Sequence, residues 1–330
     1  MKKTGFVAAL AVMALLAVIL VGCGSRLTMT YANEKQYSAG SGEVPASVRE
    51  LDVDWSSGAV RVETYAGSTV RIAEHSSRSL PEELQVHWWL DGATLRIRFC
   101  ASGQRLSLPD TAKKELTVSL PQELALESLT VDTAAADVTV AEAYADVLRV
   151  STASGDMELS CAAKQIELNS ASGSMALLAS GSCESLAAHS ASGRMALLAS
   201  GSCESLAAHS ASGRIKAELD SVEMLKCGSA SGSIEIDAAA ADFVYAESTS
   251  GKIVLALDKL AHEGKVDSTS GKVTLQLPQD AGFTAKIRSN SGELHSDFAM
   301  KYDGESYVCG DGRTMLTIET TSGDIALRSR

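Results

Sequence analysis

One twenty-residue segment occurs twice in succession. Residues 171–190 read ASGSMALLASGSCESLAAHS, and residues 191–210 repeat them with a single change, Ser174 against Arg194. A fold that takes a second copy of a segment without redesign is one in which each unit touches only the units beside it. A solenoid has this property.

A weaker repeat in the same frame covers most of the chain. Ser-Gly pairs place glycines at Gly58, Gly155, Gly173, Gly193, Gly213, Gly232, Gly251, Gly271, Gly292 and Gly323, and Ala136 fits the frame between the first two. From Ala136 to Gly292 the spacing stays between 18 and 21 residues. Two and four residues after the glycine the side chains are apolar almost every time, as in Val60/Val62, Met175/Leu177, Ile234/Ile236 and Ile325/Leu327, with Ser296 an exception. Five and seven residues before it they are apolar again, as in Leu51/Val53, Leu148/Val150 and Leu316/Ile318. Three residues before it stands Ser or Thr, except at Trp55.

Both flanks alternate with period two, the mark of half-buried strands. The inward parity changes across the Ser-Gly pair, so the pair is a corner or bulge, with glycine supplying backbone angles and the serine bonding nearby backbone. Two short strands per unit cannot bury a core alone. Stacked at about 4.8 Å they share one. Apolar content that is mostly Ala, Leu, Val and Ile, with aromatics at 5%, suits such thin layers. The expected fold is all-β, a parallel β-solenoid of about 20-residue rungs. The alternative is a β-sandwich, whose turns recur every 8–12 residues or so but without one strict phase.

The phase is lost between Gly58 and Ala136, where longer strands are expected at 69–73, 84–88, 94–99 and 115–121, and in or near which all three tryptophans lie. Residues 48–131 are therefore expected to form an irregular N-terminal β section that caps the stack, and 132–330 the repeats, with an atypical last rung. The gap from Gly292 to Gly323, with Tyr302, Tyr307 and Cys309, is expected to be a C-terminal cap or a surface loop. Specific activity is expected where the phase breaks, at 63–128 or 296–315.

The N-terminus reads as a targeting element. Lys2 and Lys3 precede an apolar run from Phe6 to Val21, which ends at Leu20-Val21-Gly22-Cys23. The run resembles a secretory signal peptide, residues 1–22, and its end resembles a lipobox, which implies lipid on Cys23. An uncleaved signal anchor is the alternative. Both place the body outside the cytoplasmic membrane, lipid-anchored in the first case. Residues 23–47, polar and rich in small side chains, are expected to be a flexible tether.

Candidate chemistry is sparse. The net charge of −12 gives no reason to seek nucleic acid. No CxxC or Cys/His spacing suggests zinc. Cys183 and Cys203 are copies of one position and are expected to be unpaired thiols inherited by duplication; the alternative is a disulfide, since stacked rungs would bring their Cα atoms within range. Cys227 falls on an inward position and is expected to pack. His189 and His209, also copies, are expected to form an outward surface pair. The residue after each glycine varies in charge (Asp156, Ser174, Arg194, Arg214, Ser233, Lys252, Lys272, Glu293), which argues against a calcium-binding roll. No serine sits in a Gly-x-Ser-x-Gly elbow. Catalytic residues, cofactors and metals are expected to be absent.

Leu51-x-Val53 leading to Ser57-Gly58-x-Val60-x-Val62, the segment Leu116-Thr-Val-Ser-Leu-Pro121, and units such as Ser250-Gly-Lys-Ile-Val-Leu255 and Ser270-Gly-Lys-Val-Thr-Leu275 resemble a bacterial domain-of-unknown-function family, the putative adhesins with β-strand repeats. The resemblance spans roughly 48–330. It implies a β-solenoid at the cell envelope, and it carries no catalytic residues with it. The expected role is a non-enzymatic, surface-displayed binding scaffold whose partner is an envelope protein or glycan. An envelope-stress or signalling lipoprotein is the second reading, and a β-helical polysaccharide-active enzyme the third.

Overall fold

The computed structural model describes residues 27–106 and 113–330. Cys23 and the expected signal peptide lie outside them. The chain is all-β and divides into two compact units at Ser174/Met175.

In the first unit, Glu50–Tyr65 and Ala125–Thr152 run parallel with Leu51 opposite Leu129, Val53 opposite Val131, Gly58 opposite Ala136 and Val60 opposite Val138. The next layer, Met157–Ser170, continues the stack, with Leu168 opposite Val150. The inward positions set by the period-two pattern are closed to solvent: Leu51, Val53, Val60, Val62, Leu129, Val131, Val138 and Val140 are at most 1% exposed. Each such side chain contributes roughly 1.5–3 kcal/mol on burial, so the stack is held mainly by this apolar column.

The other edge of Glu50–Tyr65 carries a split layer. Thr94–Arg98 runs parallel to residues 50–54, and Lys114–Pro121 parallel to residues 59–65. The strand that comes first in sequence thus lies between two that come later. Antiparallel strands His87–Asp91 and Thr69–Ser76 cover the split layer, and Ser38–Ala39 and Gly42–Pro45 cover those. The outermost strands are short, which limits the open edge offered to another chain.

Two expectations are corrected here. Residues 50–62 form a regular layer in register with the repeats, so the irregular section begins after them. The described part of 23–47 is no tether. Val44 is buried, Gly42–Pro45 pairs with Thr69–Ser76, and the Trp88 indole donates to the Gly40 carbonyl at 2.9 Å. A parallel stack must cover its terminal edge, and this glycine-rich segment can approach closely enough to do so; a side chain on Gly42 would run into the Trp88 ring.

In the second unit, Met195–Ser210, Ile215–Ser229 and Ile234–Ser248 stack in parallel register, with Leu206, Leu225 and Val244 in one inward column. Beyond the layer of Gly271 the order departs from the sequence. Thr314–Thr320 lies between Leu260–Ser268 and Phe283–Ser289, and Ile325–Ser329 between Val273–Leu277 and Leu294–Ser296. The last layer in sequence is therefore regular and sits one step inside. The outermost layer is that of Gly292. The intervening segment forms an antiparallel hairpin of Lys301–Tyr302 and Tyr307–Cys309 that pairs with residues 283–285. This corrects the expected atypical last rung: the irregular layer is the one that precedes it in sequence.

Candidate functional site

The repeated glycines are the first candidates, and the structure assigns them to packing. A Cβ on Gly155 would overlap the carbonyl oxygen of Ala136 in the neighbouring layer, and one on Gly173 would overlap that of Gly155. In the second unit the same overlap relates Gly213 to Gly193, Gly232 to Gly213, Gly251 to Gly232, Gly271 to Gly251, Gly323 to Gly271 and Gly292 to Gly323. At these glycines the backbone columns are too close for a side chain. The expectation that these glycines supply unusual angles is corrected. Among the Ser-Gly corners only Gly58, at φ +96°, is left-handed.

The hydroxyls of the corner are equally committed. The glycine N–H donates to the buried Ser or Thr three residues back at 2.7–3.0 Å, as in Thr152/Gly155, Ser210/Gly213, Ser229/Gly232 and Ser268/Gly271. The serine just before the glycine donates to a carbonyl of the adjoining layer at 3.2–3.4 Å, as in Ser172 to Ala153, Ser231 to Ala211 and Ser270 to Thr249. The most repeated polar groups are thus consumed by the turn.

The cysteines and histidines follow. Cys227 is buried, and burial pushes its thiol up to about 12, so it packs as an apolar side chain. Cys183 and Cys203 are in-register partners. The His189 and His209 rings stack with centroids 5.7 Å apart and planes 5° from parallel. They are half-buried, and burial, helped by the Lys226 cation, lowers the His209 imidazole. Among the described residues no three His, Cys, Asp or Glu side chains gather where a metal ion would sit.

Side chains not used by the turns converge on one outward face of the first unit. Period-two alternation turns Asp52 and Asp54 outward from one strand and Arg96 and Arg98 outward from its parallel neighbour, with Asp52 opposite Arg96 and Asp54 opposite Arg98. Asp132 stands opposite Asp54 on the other side. Asp52 takes Arg98 through both carboxylate oxygens at 3.0 and 2.9 Å, and Arg96 at 2.8 Å. Burial alone would lower the Arg98 guanidinium. The bonds and charge of Asp52 outweigh it and raise it above its ordinary value. Asp54 and Asp132 remain exposed at their edges, but the strands packed around them raise both carboxyls by desolvation, with the neighbouring acids adding to the shift.

An aromatic row borders these charges. Trp89 is paired across from Arg96, Tyr37 meets Trp89 edge-on at 5.7 Å, and Tyr31 lies 4.6 Å from Tyr37. All three rings are half-exposed. The Tyr31 hydroxyl donates to the Cys100 carbonyl at 3.0 Å, and burial pushes its phenol up to about 12. The face thus offers planar apolar surface beside fixed acceptors and donors, with Asp52, Asp54, Asp91 and Asp132 outnumbering the two arginines.

Inside this face lies a second polar group. Lys114, buried, makes an ion pair with Glu74 at 2.6 Å, donates to the carbonyls of Leu84 and Phe99, and sits over the rings of Trp55 and Phe99 at 4.9 and 4.1 Å. Burial lowers its ammonium, against the opposing effect of the Glu74 carboxylate. Trp55 holds the position where other layers have Ser or Thr, and this lysine packs against its ring. The group ties the two halves of the split layer to the covering strands.

Of the two regions where activity is expected, 63–128 and 296–315, the first contains Trp89, Arg96 and Arg98. Tyr31 and Tyr37 fall in the expected tether, and Asp52, Asp54 and Asp132 lie outside both regions. Alternation in Leu51-Asp-Val-Asp54 and Leu95-Arg-Ile-Arg98 shows which residues point outward. Nothing local shows that these two strands are partners.

The family model described as Toastrack DUF4097 matches residues 48–328. No curated protein matches the chain. Among solved structures, a putative adhesin from Parabacteroides merdae is 11% identical over 88% of this chain and 96% of its own, with a TM-score of 0.40. A putative cell adhesion protein from Clostridium sporogenes is 10% identical over 89% and 100%, at 0.22, and a putative lipid binding protein from Parabacteroides distasonis 13% identical over 88% and 96%, at 0.32. These likenesses are too distant to carry a property across. The family match covers most of the chain, its β-solenoid fold agrees with the stacked layers described above, and the chain belongs to the Toastrack DUF4097 family.

Proposed function

We propose that this protein is a non-enzymatic binding scaffold of the cell envelope, held at the extracytoplasmic face of the membrane by lipid on Cys23, and that it recognises envelope polysaccharide through the face of Tyr31, Tyr37, Trp89, Arg96 and Asp52. One observation carries the reading: the repeated polar residues are used up by the corners, whereas this face gathers half-exposed aromatic rings and outward charges. The apolar face of a sugar ring stacks on such rings, and its hydroxyls bond carboxylate and guanidinium groups. The excess of carboxylates disfavours an anionic ligand. The layer spacing of about 4.8 Å is also close to the rise of one sugar unit in an extended glycan.

The test is binding of the full chain to purified cell-wall polysaccharide, compared with Trp89→Ala. The expected result is binding that falls at least about tenfold in the variant, a loss of 1.4 kcal/mol or more, while the circular dichroism is unchanged. Equal binding by both forms, or binding by neither, overturns the glycan reading, and binding to an envelope protein in its place would favour the signalling role.

A further inference from the structure

We propose that Cys183 and Cys203 are joined by a disulfide that links two successive layers of the second unit. The strands Cys183–Ser190 and Met195–Ser210 are parallel and in register, and Cys183 stands directly opposite Cys203. Neighbouring strands lie about 4.8 Å apart, inside the Cα separation of roughly 4.4–6.8 Å that a disulfide spans. Both side chains turn inward, at 6% and 3% exposure, so they share one small compartment. In the structure both are free thiols, the Cys203 thiol donating to the Ser205 carbonyl at 3.3 Å, and the neighbouring Cys203 holds the Cys183 thiol below its usual range.

Other cysteines of this unit lack such a partner. Cys203 faces Val222 on its other side, Cys227 faces Ala208 and Ala246, and Cys309 faces Phe283. The position also suits a covalent tie. The parallel pairing of these two layers is interrupted at residues 181–182 and 201–202, where Gly181 and Gly201 turn at φ +80° and +111°. At the corner there Gly201 also approaches the Gly181 carbonyl closely, and a Ser202–Ser182 hydroxyl bond at 3.0 Å bridges the two layers.

The chemistry is thiol–disulfide exchange with an incoming disulfide, such as oxidised glutathione or a protein disulfide donor. The Cys183 thiolate attacks one donor sulfur, forms a mixed disulfide and releases the first donor thiolate. The Cys203 thiolate then attacks the Cys183 sulfur and releases the second. Two cysteine thiols are oxidised, the donor disulfide is reduced to two thiols, and the two cysteine protons pass to them. Because both sulfurs are buried in the finished fold, the bond forms while the layers assemble.

The inference concerns an oxidising compartment and so rests on export in the cell, but refolding tests the pairing itself. The full chain is refolded in a buffer of reduced and oxidised glutathione, free thiols are blocked in denaturant, and the product is cleaved with trypsin without reduction. The expected result is a linked pair of peptides, 165–194 with 195–214, that separates on reduction. The thermal midpoint should fall by several degrees when the wild type is reduced and should not move on reduction in Cys203→Ala. Blocking groups on both Cys183 and Cys203, or a link from Cys183 to any other cysteine, overturns the proposal.

Discussion

Within the corner, two serines two residues apart do different jobs. Ser229 is buried and accepts the Gly232 N–H at 2.8 Å, whereas Ser231 is exposed and adds a bond to the Ala211 carbonyl, which already accepts its backbone N–H at 3.0 Å. Ser229→Ala leaves a buried donor without a partner and should cost about 1–3 kcal/mol. Ser231→Ala should stay within roughly 0.5 kcal/mol of wild type. Gly232→Ala places a methyl on the Gly213 carbonyl oxygen, where backbone must move, and should cost about 3 kcal/mol. Urea titration of the three variants checks the order. Equal losses at Ser229 and Ser231 would contradict the assignment. The sequence showed that glycine and the serine three residues earlier recur together. It did not show why, since close approach between layers is a property of the stack and leaves no mark inside one unit.

At the scale of elements, each unit folds its neighbouring layers out of sequence order. Glu50–Tyr65 lies between Ala125–Thr152 and the split layer, and Thr314–Thr320 lies between Leu260–Ser268 and Phe283–Ser289. The split layer needs a tie that a continuous strand does not. Lys114 and Glu74 provide it through side-chain exposures of 2% and 7%. Lys114→Met leaves the Glu74 carboxylate buried and uncompensated, and should destabilise the protein by about 3–5 kcal/mol in urea unfolding. The double variant with Glu74→Met should recover most of that loss, because a buried ion pair is replaceable by apolar packing. A double variant as unstable as the single would show that the charge pair itself is needed. Strands at 69–73, 94–99 and 115–121 were legible from alternation, whereas the one expected at 84–88 runs over His87–Asp91, after a short 3-10 turn at Glu82–Leu84. Their pairing was not, because a parallel partner 44 residues away, as Arg96 is from Asp52, is set by the inward columns of both strands together. For the same reason Tyr31 and Tyr37 were assigned to a tether: Gly42–Pro45 is defined as a strand by the edge it covers.

Across the whole molecule, a regular body carries the proposed recognition face and the proposed membrane anchor. Cys23→Ser should release the chain from the membrane fraction into the soluble extracytoplasmic fraction without changing its polysaccharide binding; retention on the membrane would contradict the lipid anchor. The body's regularity was legible because a recent duplication left two nearly identical layers, with Met175 opposite Met195 and His189 opposite His209. The family's fold follows from the same stacking. The central claim is that these layers are interchangeable architecture and that recognition lies elsewhere, and deletion of residues 191–210 tests it most directly. The deletion joins Ser190 to Ala211 and keeps the corner frame intact. The account predicts a variant that unfolds in one cooperative transition, retains the strand circular dichroism of the parent and binds cell-wall polysaccharide as tightly. A variant that fails to fold, or one that folds and loses binding, would contradict it.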